Sequence, residues 1–279
     1  MLPILRRVLT YRLMLYYLAV LLAACLVLGA VDLIRFNPID LAFSTLVIGV
    51  TCWIVNWIFA RSFGAVTHTD SVLITALILS LIISPFSPQD SASIGFAIFA
   101  AAWAVASKYV LATRKRHIFN PAALGAAVAG VALHRTVSWW VGDYVLLLPV
   151  VIVGGVVILD RLRYFSLLAG FAVTVLGITL INGGLARMES SASLILLHSM
   201  FFFFAFVMLT EPRTAPLGRW RQALFGVLVG VLFSPSVHIG TYYFTPEMAL
   251  LAGNVFTFLT NKRRLERWGA MLRPAAAAG

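Results

Sequence analysis

"RHIFNPAALG", residues 116–125, joins a cluster of positive charge to an apolar run through Phe119-Asn120-Pro121. Asn120 is suited to capping a helix and Pro121 to its first turn, so the stretch predicts a helix beginning at residue 121. Only about 13 apolar residues follow before His134 and Arg135. A bilayer crossing needs roughly 20. The stretch therefore reads as a half-length helix whose positive end is turned into the protein.

The rest of the chain supplies the setting for such a helix. Its 279 residues are 61% hydrophobic and 11% charged, with a mean hydropathy of +0.97. That composition excludes an ordinary soluble domain and predicts one integral membrane domain over 1–279. Apolar runs fall near 13–31, 41–60, 71–84, 94–112, 121–133, 144–159, 164–182, 193–209, 222–233 and 246–260. With the N-terminus inside, the cytoplasmic segments hold seventeen Lys and Arg, and the outer loops hold only Arg35, Arg135 and Arg187. This bias sets ten spans with both termini cytoplasmic, ending in a tail over 268–279. The net charge of +11 is then an orientation signal in a bacterial-type inner membrane and implies no nucleic-acid partner.

Leu22-Ala23-Ala24-Cys25 imitates a lipoprotein cleavage box, but apolar residues continue to Val31, so a retained first span is expected. Cys25 and Cys52 belong to no CxxC or Cys/His cluster, and neither a disulfide framework nor a metal site is predicted.

Two landmarks recur half a chain apart. Pro85 and Pro88 end the third run as Pro212 and Pro216 end the eighth, and Phe119-Asn120-Pro121 precedes the fifth run as Phe244-Thr245-Pro246 precedes the tenth. Each half then has five spans, over about 1–133 and 134–267, and an odd number inverts the second half relative to the first. Paired Pro-interrupted segments of this kind point to a site at the repeat interface. The fifth and tenth helices are expected to meet there tip to tip.

Ionisable residues in or beside a span each require a reason. Asp70 opens the third run, Glu211 follows the eighth, Glu247 begins the tenth, and Lys108 sits late in the fourth. Two readings stay open. The set lines a cation or proton path or holds a charged cofactor, or else the carboxylates are interfacial caps and Lys108 snorkels to the surface. Asn56, Asn254 and Asn261 fit interhelical hydrogen bonding. His134, His198 and His238 read as structural. Trp139 and Trp140 fit an outer interfacial belt, and "FFFFAF" at 201–206 fits lipid-facing or packing bulk.

Several stretches resemble a known family, the NqrB/RnfD membrane proteins of the Na+-translocating NADH:quinone reductase and of the Rnf electron-transport complex. They are "TDSVLITALILSLIISPFSP" (69–88), Lys108 followed by "NPAALG" (120–125), "FAFVMLTEPRTAP" (204–216), "TPEMALLAGN" (245–254) and "KRRLERWG" (262–269). The resemblance implies an all-α, urea-channel-like fold of ten helices in two inverted five-helix repeats. It also implies a membrane electron-transfer component with non-covalent riboflavin or another flavin at Asn120 and Pro121, and Lys108 nearby. A cation or proton route would use Asp70, Thr210, Glu211, Glu247 and Asn254. Partner subunits of a redox complex, or a soluble flavoprotein reductase on the cytoplasmic face, are implied as well. The family's Ser-Gly-Ala-Thr tetrapeptide does not occur, so covalent FMN is not predicted, and Asn261 replaces an aspartate. The alternatives are a small-solute channel or transporter on the same scaffold, and a membrane anchor for a reductase.

Overall fold

The computed structural model describes residues 10–65, 69–113, 116–183 and 200–260. The predicted N-terminal segment, the loop with Arg187, the start of the eighth run, Asn261, the basic stretch after it and the tail lie outside these residues. Ten helices occur among the described residues: α1 (Thr10–Ala30), α2 (Pro38–Phe63), α3 (Thr69–Ile82), α4 (Ser91–Val110), α5 (Pro121–Leu133), α6 (Leu148–Leu162), α7 (Phe165–Gly183), α8 (Phe201–Phe203, running on as the π-helical turn Phe204–Met208), α9 (Arg219–Phe233) and α10 (Pro246–Thr260). Each falls on one of the ten apolar runs. Five segments are long and apolar enough to cross a membrane: α1, α2, α4, α7, and α6 with the turn before it.

Local chemistry sets the helix ends. Asn37 Oδ1 accepts the Ile39 N–H at 2.8 Å ahead of Pro38, and Asn120 Oδ1 accepts the Ala123 N–H at 3.1 Å ahead of Pro121. Both are Asx caps with proline in the first turn. Gly64 closes α2 in the left-handed region at φ 56, its N–H turned back to the Ala60 and Arg61 carbonyls. Each half-length helix follows a small antiparallel hairpin. One pairs β1 (Ala112–Thr113) with β2 (Arg116–His117) before α5, and the other pairs β3 (His238–Ile239) with β4 (Tyr242–Tyr243) before α10.

Packing follows small residues. α4 packs on α2 and α5, and α9 packs on α7 and α10. α3 sits against α1 and α2, while α8 sits against α6 and α7. α1 meets α6, and α5 meets α10. The aromatic run is packing bulk: the Phe204 ring lies 5.5 Å from Phe171 and 5.0 Å from Phe233, joining α7, α8 and α9.

The outer tryptophans differ from expectation. Trp139 and Trp140 are 3% and 1% exposed, so they form no interfacial belt. Pro85 lies just past the end of α3, whose last carbonyls face the segment between α5 and α6. Trp140 Nε1 donates to Ser80 O at 3.1 Å, and the backbone N–H groups of Ser138 and Trp139 donate to Ile82 O. The Trp140 indole and the backbone at Ser138 and Trp139 are drawn inward because these carbonyls need donors where water is scarce.

Asp90 caps α4, accepting the Ser93 N–H at 3.0 Å. Hydrogen bonds from the Ser93 hydroxyl and amide, with Arg135 adding to them, hold its carboxyl below the usual range. Its contribution to stability is complete above the unfolded value of about 3.9 and is lost as pH falls through the lower folded value. Asp90→Asn keeps the cap oxygen without the titration. The difference in thermal midpoint between wild type and this variant is therefore expected to change on acidification below about pH 4, falling against the wild type. A difference that is flat from neutral pH to pH 3 would refute the assignment.

Candidate functional site

Asn120 joins three segments. Its backbone N–H donates to Asn254 Oδ1 at 2.7 Å on α10, its Nδ2 donates to Met208 O at 3.3 Å at the end of α8, and its Oδ1 caps α5. Asn254 lies well inside α10, so α5 and α10 pack flank to flank rather than tip to tip. Met208 O accepts this bond where Pro212 stops α8 from continuing. The π-turn is closed by the bond from Leu209 N–H to Phe204 O.

A small cavity opens beside this junction, lined by α1, α3, the first turn of α5 and the end of α8, with Ser71, Thr75, Asn120, Glu211 and Pro212 in its wall. Glu211 is a charged member of the wall. His117 Nε2 lies 2.7 Å from Glu211 Oε1, and Thr214 Oγ1 donates to Glu211 Oε2 at 3.2 Å. Lys108 Nζ donates to Ser71 O at 2.7 Å and Ser71 Oγ at 3.3 Å, tying α4 to α3. Asp70 turns away toward Arg12, 3.6 Å off and half exposed. Thr210 returns its hydroxyl to Phe206 O in its own helix.

A second group lies along α10. Glu247 is 2% exposed, Asn254 0% and Thr257 1%. Glu247 Oε2, Asn254 Nδ2 and Thr257 Oγ1 have no hydrogen-bond partner among the described residues, nor does Trp139 Nε1. Thr245 and Trp139 stand beside the Glu247 carboxyl. At about 100° per residue the three α10 positions share one face, and Glu247 stands roughly 10 Å along the axis from Asn254. Buried polar atoms require partners, and water is the smallest that serves.

The backbone N–H, Oδ1 and Nδ2 of Asn120 are each engaged within the chain. The adjoining cavity has room for a few waters, at roughly 10–15 Å³ each. Of the residues predicted for cofactor binding, Asn120 and Pro121 start α5 against α8 and α10, and Lys108 ties α4 to α3.

Of the residues predicted for a route, Asn254 bonds Asn120, Glu211 shares the cavity wall with Asn120, Glu247 stands farther along the same face of α10, and Asp70 and Thr210 are engaged elsewhere. Reading the sequence does not single out Ser71 or Thr257, notes His117 only as a departure from the family it resembles, and takes Trp139 for an interfacial anchor. Only the i, i+7, i+10 spacing of Glu247, Asn254 and Thr257 signals along the chain that these three share a face.

The Asn120–Asn254 bond has a measurable value. In Asn254→Leu the buried Asn120 N–H loses its acceptor, at a cost of about 1–3 kcal/mol. Denaturant unfolding in detergent checks this, and equal midpoints for Asn254→Leu and wild type would contradict it.

Apolar helices of spanning length, packed around buried polar groups, define a helical membrane protein. No family model matches the chain, and no curated protein matches its sequence.

Proposed function

We propose that the chain is an ion-handling membrane protein that carries protons or small cations between two inverted five-helix halves. The buried polar face of α10 carries this reading: Glu247 Oε2, Asn254 Nδ2 and Thr257 Oγ1 have no hydrogen-bond partner among the described residues, where an idle polar group is costly. The matched pairings support the two halves, with α2, α4 and α5 corresponding to α7, α9 and α10. Two hairpin-then-proline helix starts 125 residues apart, at Pro121 and Pro246, support them too. Five spans per half turn the second upside down. The charge distribution supports cytoplasmic termini in an inner membrane.

The resemblance to the NqrB/RnfD membrane proteins links such a route to electron transport. In this reading the electron carriers reside on partner proteins, since the backbone N–H and side-chain amide of Asn120 are already engaged within the chain. Glu247 takes up and releases a proton, or faces a cation, at the outer part of the route. Asn254 and Asn120 bridge the halves, and the His117–Glu211 pair serves the inner end.

Proteoliposomes holding the purified protein, given a pH or Na+ gradient with the membrane potential clamped, test the reading. Flux above that of protein-free liposomes is expected. Flux indistinguishable from empty liposomes for both ions would overturn it. An optical spectrum of the same preparation is expected to lack flavin bands, and a stoichiometric flavin would overturn the assignment of the carriers to partners.

A further inference from the structure

The outward face of α2 carries Trp53, Trp57 and Arg61, spaced four residues apart and therefore aligned. Trp53 and Trp57 are 62% and 56% exposed, and the Arg61 guanidinium lies 6.0 Å from the Trp57 ring centroid. These residues border a groove of about 380 Å³ between the last turns of α2 and the start of α3, with Asn56 and Thr69 also in its wall.

We propose that this groove seats the phosphate of an anionic phospholipid headgroup. Among the described residues its lining contains no carboxylate and carries Arg61, Asn56 and Thr69 beside Trp53 and Trp57. Tyr109 donates to Asn56 Oδ1 at 2.6 Å, which fixes that amide and leaves its NH₂ as the group it can present. The nearest carboxylate in sequence, Asp70, is paired with Arg12 instead. Gly64 N–H covers the Ala60 and Arg61 carbonyls, so the negative end of α2 is partly answered before an anion arrives. Exposed tryptophans hold a helix at headgroup level, and an arginine there meets the phosphate of its own leaflet. The charge distribution favours the cytoplasmic side for this end of α2, where anionic lipid draws basic groups. A lipid fits better than a soluble phosphate because the two exposed indoles continue down the helix toward the acyl region.

The test is native mass spectrometry of the protein in phosphatidylcholine nanodiscs titrated with phosphatidylglycerol. Wild type is expected to retain phosphatidylglycerol in preference to phosphatidylcholine. Arg61→Gln is expected to lower that retention about fivefold, the scale of one basic side chain at a charged bilayer surface. Arg61→Lys should keep most of it. Arg35→Gln removes another exposed arginine set against an aromatic ring, 5.5 Å from the Phe36 centroid, and is expected to change nothing. Equal retention by wild type and Arg61→Gln, or an equal loss in Arg35→Gln, would overturn the site. Displacement of the lipid by inorganic phosphate at constant ionic strength would overturn the lipid as its occupant. Ion flux does not enter the readout, so this result stands apart from that of the proposed route.

Discussion

Glu247→Gln is expected to lower ion flux in proteoliposomes by about two orders of magnitude, the scale on which removing a positioned proton-transfer group acts. The variant keeps the shape of the side chain and removes only its ability to ionise. Glu247 sits at the start of α10, 2% exposed, with one carboxyl oxygen unpartnered among the described residues. A buried carboxylate held without a full set of partners opposes folding, because desolvating the charge outweighs what the surroundings return. The neutral amide relieves that cost. The thermal midpoint of Glu247→Gln should therefore equal or exceed that of wild type while transport collapses. Glu247→Asp, which keeps the charge, should retain part of the flux. A Gln variant that transports like wild type would exclude this carboxyl from the route, and one that fails to fold would show that the residue is structural.

The second large effect concerns the helix crossings that hold Asn120 in place. A Cβ on Gly125 would overlap the Ala100 carbonyl oxygen and come within 2.7 Å of the Ala104 Cβ, so α5 approaches α4 backbone to backbone. Gly226 occupies the crossing of α9 and α7, where an added Cβ would overlap Leu167 O and come within 2.7 Å of Phe171 N. Backbone cannot swing aside as a long side chain can. Gly125→Ala and Gly226→Ala are each expected to destabilise by about 3 kcal/mol, the upper end for overpacking, with Val worse than Ala. Gly49→Ala and Gly177→Ala provide the contrast, since nothing lies within 4 Å of the added Cβ at either position. Those two should be neutral or gain up to about 1 kcal/mol from helix propensity. Unfolding in mild detergent separates the pairs, and a Gly125→Ala midpoint equal to that of Gly49→Ala would contradict the close crossing. Because α5 carries Asn120 against Asn254, Gly125→Ala should also reduce flux before it unfolds the protein.

The helices are legible along the chain because their signals are local. Apolar length, an Asn-Pro start and a proline shortly after an end act over a few residues. The half-length α5 can be read from 116–135, and the start of α10 from its counterpart at Phe244-Thr245-Pro246. The polar residues are legible as unusual but not in their roles. Asp70 reads like Glu211 along the chain, yet it pairs with half-exposed Arg12 while Glu211 borders a cavity with His117. Trp139 and Trp140 look like interfacial anchors until the carbonyls ending α3 supply a reason to bury them.

Residue order alone was enough to specify an apolar chain of ten helical segments, two of them short and begun by Asn-Pro or Thr-Pro, because bilayer length and capping are satisfied within a segment. Three features came only from the packing of the helices: Asn120 meets a side chain 134 residues away, α5 and α10 lie flank to flank, and the face of α10 keeps three polar atoms without partners among the described residues. Hydrogen-bond satisfaction in a water-poor interior depends on which backbones come within about 3 Å of one another. That proximity is set by where small residues let helices cross.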